Sequence, residues 1–329
     1  MQQMISIVIP VYRAQDMLVP LHERITAALA HLSIAYEIVF VEDAGGDRSW
    51  PVIVELAQKD DRVRAFRLSR NFGQHNALLC GIKAARGDVI VTMDDDLQHP
   101  PEELHKLLSA MTDDIDVVYG FSPHDNPHGL FRGFASRASK WALQVAMGVD
   151  SARHASAFRA FRTRLREAFG EDQGPSVNID VMLTWGTTRF TSVVVRHDQR
   201  AGGTSGYTVR KLLAHLLNMV TGFTALPLQI ASVMGILFSA VGFLLLIYVC
   251  LVRLIHGGSV PGFTFLASAI SVLAGVQLFA LGMIGEYVSR IHFRTMGRPT
   301  FLVSEKTERG LSTSNNEDPP AGMAGFQRE

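Results

Sequence analysis

Val89-Ile90-Val91-Thr92-Met93-Asp94-Asp95-Asp96-Leu97-Gln98-His99-Pro100-Pro101 is the stretch on which the reading of this chain turns. It opens as a run of β-branched apolar residues, the composition of a buried strand, and then meets three consecutive carboxylates, a polar residue and two prolines. The acids therefore stand at the C-terminal end of a strand, the edge where open α/β sheets bind ligands. Alternate carboxylates there suit a hard divalent cation that also holds phosphate oxygens. The same tripeptide before Pro101-Glu102-Glu103 also fits an acidic helix-capping loop, so alone it does not distinguish the two.

On either side of this strand the chain alternates between strand and helix patterns. Ile5 to Pro10, Tyr36 to Val41, Val63 to Leu68 and Asp116 to Tyr119 are short apolar runs. Between them, Asp16 to His31 carries Leu18, Leu21, Ile25 and Leu29 on one helical stripe, and helices are predicted over Arg48 to Lys59, Gln74 to Ala85 and Glu102 to Met111. Such alternation predicts an α/β fold with a mostly parallel, Rossmann-like sheet covered on both faces.

The second strand runs into Glu42-Asp43-Ala44-Gly45-Gly46-Asp47, and an acid at a strand's end can accept hydrogen bonds from a ribose or a base edge. A turn or a helix cap is the alternative role for Asp43. The glycine fingerprint of dinucleotide folds is missing after the first strand, where Pro10-Val11-Tyr12-Arg13 stands instead. A mononucleotide carrier held by acids and metal is therefore expected, not a dinucleotide cofactor. After the third strand, Ser69-Arg70-Asn71-Phe72-Gly73-Gln74 offers Arg70 for phosphate and Gly73 for close backbone approach.

The 329 residues carry no formal net charge, so no global basic field points to nucleic acid as a partner. The charge is unevenly spread, because Leu226 to Val252 and Gly262 to Gly285 contain no Asp, Glu, Lys or Arg. Each is long enough to cross a hydrocarbon core of roughly 30 Å as a helix. The short connection makes an antiparallel hairpin, with Arg200, Arg210 and Lys211 before it, Arg290, Arg294 and Arg298 after it, and only Arg253 between. By the positive-inside rule, the leading domain and both termini are expected in the cytoplasm, with the hairpin in the plasma (inner) membrane. Met1-Gln2-Gln3-Met4-Ile5 lacks the basic start and long apolar core of a signal peptide. The two cysteines, Cys80 and Cys250, have no metal-ligand neighbours and fit a reduced compartment.

The expected organisation is a catalytic domain over 1–207, an amphipathic helix over 208–225, two spans over 226–288 (about 226–252 and 262–285) and a tail over 289–329. From about Glu305 the tail is mainly Ser, Thr, Asn, Glu, Pro and Gly and is expected to be mostly disordered. Phe121 to Lys140, rich in Pro, His and Gly, reads as a lid-like loop whose histidines are solvated rather than metal-bound. Arg132, Arg137 and Lys140 read either as a solvated helix face or as contacts for an anionic lipid headgroup. Gly235, Ser239 and Gly242 would let spans pack in a homo-oligomer.

Four separated segments, Ile9-Pro10-Val11-Tyr12, Val41-Glu42-Asp43, Ser69-Arg70-Asn71-Phe72-Gly73 and Met93 to Pro101, resemble in order and spacing the inverting glycosyltransferases of the GT-A fold, family 2. Within these the chain looks most like the polyprenyl-phosphate glycosyltransferases, over nearly its whole length up to about Pro299. The resemblance implies a divalent metal, Mg²⁺ or Mn²⁺, held by Asp94 and Asp96 with Gln98 joining its shell. It implies a nucleotide-sugar site with Asp43 on the nucleoside and Pro10, Tyr12, Arg70, Asp94 and Ser205 around the donor. It further implies a polyprenyl phosphate acceptor in the lipid bilayer, met by Arg132, Arg137 and Lys211.

Ala157-Phe158-Arg159-Ala160-Phe161 aligns with a family stretch that commonly begins with Asp, so Ala157 stands where relatives carry a candidate base. Asp180 resembles another family base position, although a phosphate acceptor is largely ionised near pH 7 and needs little base. Arg159 and Arg200, the latter in a segment resembling Arg-x-x-Gly-x-Ser-x-Tyr, are the catalytic arginines the likeness implies. Two other readings stand beside this one. A processive polysaccharide synthase shares these motifs but carries Gln-x-x-Arg-Trp and more spans, and this chain has no Arg-Trp pair. A non-catalytic nucleotide-sugar-binding adaptor is favoured only by Ala157.

Overall fold

A computed structural model of the chain describes residues 4–32, 34–123, 147, 154–170, 177–198, 221–222, 224–256 and 262–307. Strand β1 (Ile5–Val11) is buried at every position, as is β2 (Tyr36–Glu42), the pattern of strands covered on both faces. Helix α1 (Leu18–Ala30) buries Leu18, Leu21, Ile25 and Leu29, the stripe its sequence predicts. Helix α2 (Ser49–Lys59), strand β3 (Val63–Leu68), helix α3 (Gln74–Ala84) and strand β4 (Val89–Thr92) follow, each within two residues of its predicted bounds. A single 3₁₀ turn, Pro101–Glu103, leads into α4 (Leu104–Ser109) and then β5 (Val117–Phe121).

The sheet is completed by β6 (Arg159–Arg162), by β7 (Phe190–Val194), which follows helix α5 (Ile179–Gly186), and by β8 (Val303–Thr307). Its order is β7-β5-β6-β4-β1-β2-β3-β8. Strand β1 pairs in parallel with both β2 and β4, and β2 in parallel with β3. Strand β6 is antiparallel to both β4 and β5, which makes the sheet mixed while leaving its centre parallel. Because the chain leaves β1 toward β2 and returns on its other side as β4, the end of β1 is a topological switch point. Ligands bind at such points in open α/β sheets.

One glycine sets how closely α3 approaches. A Cβ at Gly81 would lie 2.3 Å from Val8 Cγ1, so only hydrogen there lets the helix rest on β1 and β2. That close seat brings the first turn of α3 to the switch point.

Helices α6 (Leu226–His256) and α7 (Phe263–Thr295) are long and apolar enough to cross a membrane. Their apolar side chains face outward, with Ile236, Phe243 and Leu254 at 69%, 63% and 87% exposure, a surface that calls for lipid rather than water. Helix α7 runs about ten residues past the expected span end at Gly285, and this extension carries Glu286, Arg290 and Arg294. Tyr287 donates its hydroxyl to the Thr224 carbonyl at 2.7 Å, which ties the end of α7 to the approach to α6.

Within the tail, expected to be mostly disordered from about Glu305, order extends to Thr307 through strand β8. Strand β8 pairs antiparallel with β3, Leu68 opposite Val303, and Ser69 donates its N–H to Leu302 at 2.8 Å. Glu305 receives the Trp50 indole N–H at 3.0 Å and the Arg67 guanidinium at 2.7 Å. A short strand with few apolar residues gains its order from an existing sheet edge and two side-chain partners. Residues 308–329 and most of the expected amphipathic helix lie outside the described residues.

Candidate active site

Strands β1, β2 and β4 all point their C-terminal ends at one cavity of about 420 Å³. Pro10 and Tyr12 come from β1, Asp43 from the end of β2, Asn71, Gly73 and Gln74 from the entry to α3, and Asp94, Asp95, Asp96 and Gln98 from the loop after β4. Backbone geometry around it is unusual. Among the described residues, those other than glycine with positive φ are Arg13 (57°), Ala44 (48°) and Leu97 (58°), one just past each of the three strands. Such conformations persist only where surrounding contacts hold them, and they concentrate at sites whose shape matters.

Those contacts can be named. The Asp95 carboxylate accepts the Tyr12 backbone N–H at 3.0 Å, tying the end of β4 to the end of β1. Asp43 accepts the N–H groups of Phe72 and Gly73 at 2.7 and 2.8 Å, one on each oxygen. Gly73 has φ 93°, which presents its N–H to Asp43 in a conformation that a side chain would strain. Burial pushes the Asp43 carboxyl above its usual range, and the two N–H donors only partly offset this. Glu42 is buried and accepts the Gly45 N–H at 2.6 Å, so it shapes the turn beside Asp43. Its other oxygen meets Arg67 at 3.2 Å, and Arg67 also binds Glu305 of β8.

Around the opening acids, Gln74 donates to Asp94 at 2.7 Å and the Gln98 N–H donates to Asp96 at 3.1 Å. No group of three His, Cys, Asp or Glu side chains forms a ready metal cage among the described residues. Two half-buried aspartates with an amide oxygen nearby nevertheless fit a cation that takes its remaining ligands from a diphosphate and water, the common arrangement for Mg²⁺.

Two expected catalytic residues are elsewhere. Arg159 is 1% exposed and donates through Nε to the Thr92 hydroxyl at 2.9 Å. It forms an ion pair with Asp180, which also accepts the Tyr119 hydroxyl at 2.9 Å. Burial opposes the Arg159 charge, but Asp180 outweighs it and the guanidinium stays firmly protonated. Burial and the Asp180 charge push the Tyr119 hydroxyl well above its usual range. None of the three lines the cavity. Asp180, the expected base, stands outside the cavity lining and forms a buried ion pair with Arg159. Arg159, expected on phosphate, is bonded to Thr92 of β4 outside the cavity lining, where the Asp94 charge also acts on it.

Arg70 does not line the cavity either, and its guanidinium lies over the Phe72 ring at 4.5 Å. Asn71 and Gln74 of the same segment take the cavity positions, and Asp95 is a tie across it. The Thr92 hydroxyl donates to the Ala157 carbonyl at 2.7 Å, so this position contributes backbone. Arg132, Arg137, Arg200, Ser205 and Lys211 lie outside the described residues. A larger concavity lies at the opposite edge of the sheet and contains none of the acids after β4.

Several known proteins are similar to this chain. The glycosyl transferase family 2 model matches residues 6–172. Undecaprenyl-phosphate 4-deoxy-4-formamido-L-arabinose transferases of Yersinia pestis and Yersinia pseudotuberculosis are 34% identical over 318 residues, covering 95% of this chain and 96% of theirs. Among solved structures, glucosyl-3-phosphoglycerate synthase from Mycobacterium tuberculosis is similar over 66% of this chain and 80% of its own, at 17% identity and TM-score 0.47. Mannosyl-3-phosphoglycerate synthase from Rubrobacter xylanophilus is similar over 69% of this chain and 74% of its own, at 15% identity and TM-score 0.48. A mostly parallel sheet with its acids at the switch point, a family match across the leading domain and near full-length likeness to named transferases agree: this chain belongs to glycosyl transferase family 2 and is a glycosyltransferase.

Proposed function

We propose that the protein transfers a sugar from a nucleotide-sugar donor to undecaprenyl phosphate or a similar polyprenyl phosphate, with inversion at the anomeric carbon. The observation that carries this reading is the placement of the membrane hairpin relative to the cavity. Helix α7 returns to the sheet through Leu302 at Ser69 and Val303 at Leu68, the C-terminal end of β3. This is the same edge at which Asp43 and Asp94 to Asp96 stand, so a lipid acceptor held beside the hairpin has a short path to the donor. The relatives' names supply the acceptor class.

In this reading Asp43 and the turn shaped by Glu42 hold the nucleoside. Asp94 and Asp96, with Gln98, would hold a divalent ion, which would supply positive charge to the donor's diphosphate. An acceptor phosphate oxygen forms the new bond to the anomeric carbon while the bond from that carbon to the diphosphate breaks. A phosphate monoester is mostly doubly ionised near neutral pH, so no protein base is required. That agrees with Ala157 lacking a carboxylate and with Asp180 being committed to Arg159. The catalytic domain and both termini lie on the cytoplasmic side, where nucleotide sugars are made, and the outward apolar surface of the hairpin sits in the plasma membrane.

The test is to incubate membranes containing the protein with undecaprenyl phosphate and a panel of labelled nucleotide sugars, including one carrying 4-deoxy-4-formamido-L-arabinose. A lipid-linked monosaccharide formed only with polyprenyl phosphate and a divalent ion is expected. A polymer product, or transfer indifferent to the lipid, overturns the reading.

A further inference from the structure

Opposite the site just described, at the N-terminal edge of the parallel strands, lies an open concavity of about 660 Å³. Arg86, Arg162, Arg164, Arg166 and Arg189 line it, with Asp88 and Asp113. It sits where β4 begins and β6 ends, Val89 being paired with Arg162. Thr163, just past β6, ties the two strand ends together: its N–H donates to the Asp88 carbonyl at 3.0 Å and its hydroxyl to the Gly87 carbonyl at 2.6 Å.

One buried carboxylate organises this wall. Asp116 is 2% exposed, and it accepts from Arg164 at 2.7 Å and from Arg189 at 2.9 and 3.0 Å, with Arg162 at 3.6 Å. Three guanidiniums are thereby fixed around a single negative charge on the wall of the concavity. The other acids do little to balance them. Asp113 is fully exposed and 3.7 Å from Arg162, and Asp88 accepts the Met4 N–H at 3.0 Å. Arg166 is half-buried, and its one polar contact among the described residues is to the Ala85 carbonyl at 2.7 Å, with no carboxylate partner. Desolvating a guanidinium without a counter-charge is costly, and an anion in the concavity would supply it.

We propose that this concavity binds a small soluble di- or polyphosphate anion. Arginine rather than lysine on every basic position of the wall suits forked recognition of phosphoryl oxygens. Pre-positioning by Asp116 removes most of the ordering cost of closing several side chains on one ligand. Breadth and openness fit a ligand larger than a single phosphate. The hairpin returns to the sheet at the opposite edge, beside Ser69, so the ligand comes from solution rather than from a lipid headgroup. The site is independent of the transfer reaction, and its test reads binding alone.

The full chain in neutral-lipid nanodiscs, with chelator present to disable the metal-dependent site, is titrated with pyrophosphate by calorimetry. Arg166→Gln leaves the Asp116 network intact and is expected to weaken binding about tenfold, the worth of one charge-assisted contact. Arg86→Gln, at an exposed position, tests the same wall should the first variant unfold, with unfolding midpoints checking both. Asp96→Asn is expected to leave pyrophosphate affinity unchanged. Affinity that falls with Asp96→Asn but not with the arginine variants, or no saturable binding, overturns the proposal. Nanodiscs containing phosphatidylglycerol distinguish the sources: unchanged affinity supports a soluble ligand, and competition by the lipid overturns that assignment.

Discussion

The Asp95 carboxylate accepts the Tyr12 backbone N–H at 3.0 Å, joining two strand ends that are 83 residues apart in sequence. It is the middle acid of the three, flanked by the two aspartates assigned to metal, and it holds the floor of the cavity closed between β1 and β4. Asp95→Ala removes that tie at an exposed position, where water can replace the carboxylate, a loss of about 0.5–1.5 kcal/mol locally. The expected outcome is a several-fold rise in donor KM with the fold retained, read from donor titrations beside a thermal melt. An unchanged KM would make the contact incidental.

The Arg159–Asp180 pair predicts a different pattern. Removing one partner strands a buried charge, at a cost of about 3–5 kcal/mol, so Arg159→Met and Asp180→Ala should lower the unfolding midpoint sharply. If Asp180 were instead the catalytic base, its replacement would abolish turnover while leaving the midpoint in place. Thermal unfolding and single-turnover rates on the same preparations separate the two.

Asp43 predicts the acid limb of the pH profile. Burial raises its carboxyl above the ordinary aspartate value of 3.8, so on acidification it takes up a proton at higher pH than an exposed aspartate would. In linkage terms, the folded chain holds this proton to higher pH than the unfolded chain. Its ionisation therefore costs stability as pH rises from the unfolded value through the raised folded one. Protonation weakens the carboxylate's hold on the Phe72 and Gly73 N–H groups and so loosens the donor loop. Donor KM should rise on acidification from a pH above the usual carboxylate range. Asp43→Asn should flatten that limb, and a profile indifferent to this substitution would count against the assignment.

Much of this was legible in the residues. Apolar runs and helical stripes gave strands β1 to β5 and helices α1 to α3 nearly to the residue, because each is a local pattern facing a common core. The motifs at the strand ends placed Pro10, Tyr12, Asp43, Asp94, Asp96 and Gln98 around one cavity. Which way a side chain points after its strand ends was not legible. Arg70 turned to Phe72 while Asn71 and Gln74 faced the cavity, a choice set by the positive φ of Gly73 and by tertiary contacts. Long-range partners were equally hidden. Glu305 finds Arg67 across 238 positions and Trp50 across 255, so a polar tail segment carried no sign of the strand it forms. Asp180 read as an acid in a suitable place, and only the fold brought Arg159 and Tyr119 onto it.

The central claim is that Asp94 and Asp96 hold the divalent ion on which transfer depends, and Asp96→Asn tests it most directly. This substitution keeps size and an oxygen able to accept the Gln98 N–H while removing the charge. Transfer from the donor identified in the panel to polyprenyl phosphate should be measured across a Mg²⁺ and Mn²⁺ series. A loss of at least about a hundredfold in turnover, with the wild-type unfolding midpoint retained, is the predicted result, in line with losing one key group that stabilises the leaving charge. Near-normal turnover with unchanged metal dependence would contradict the account.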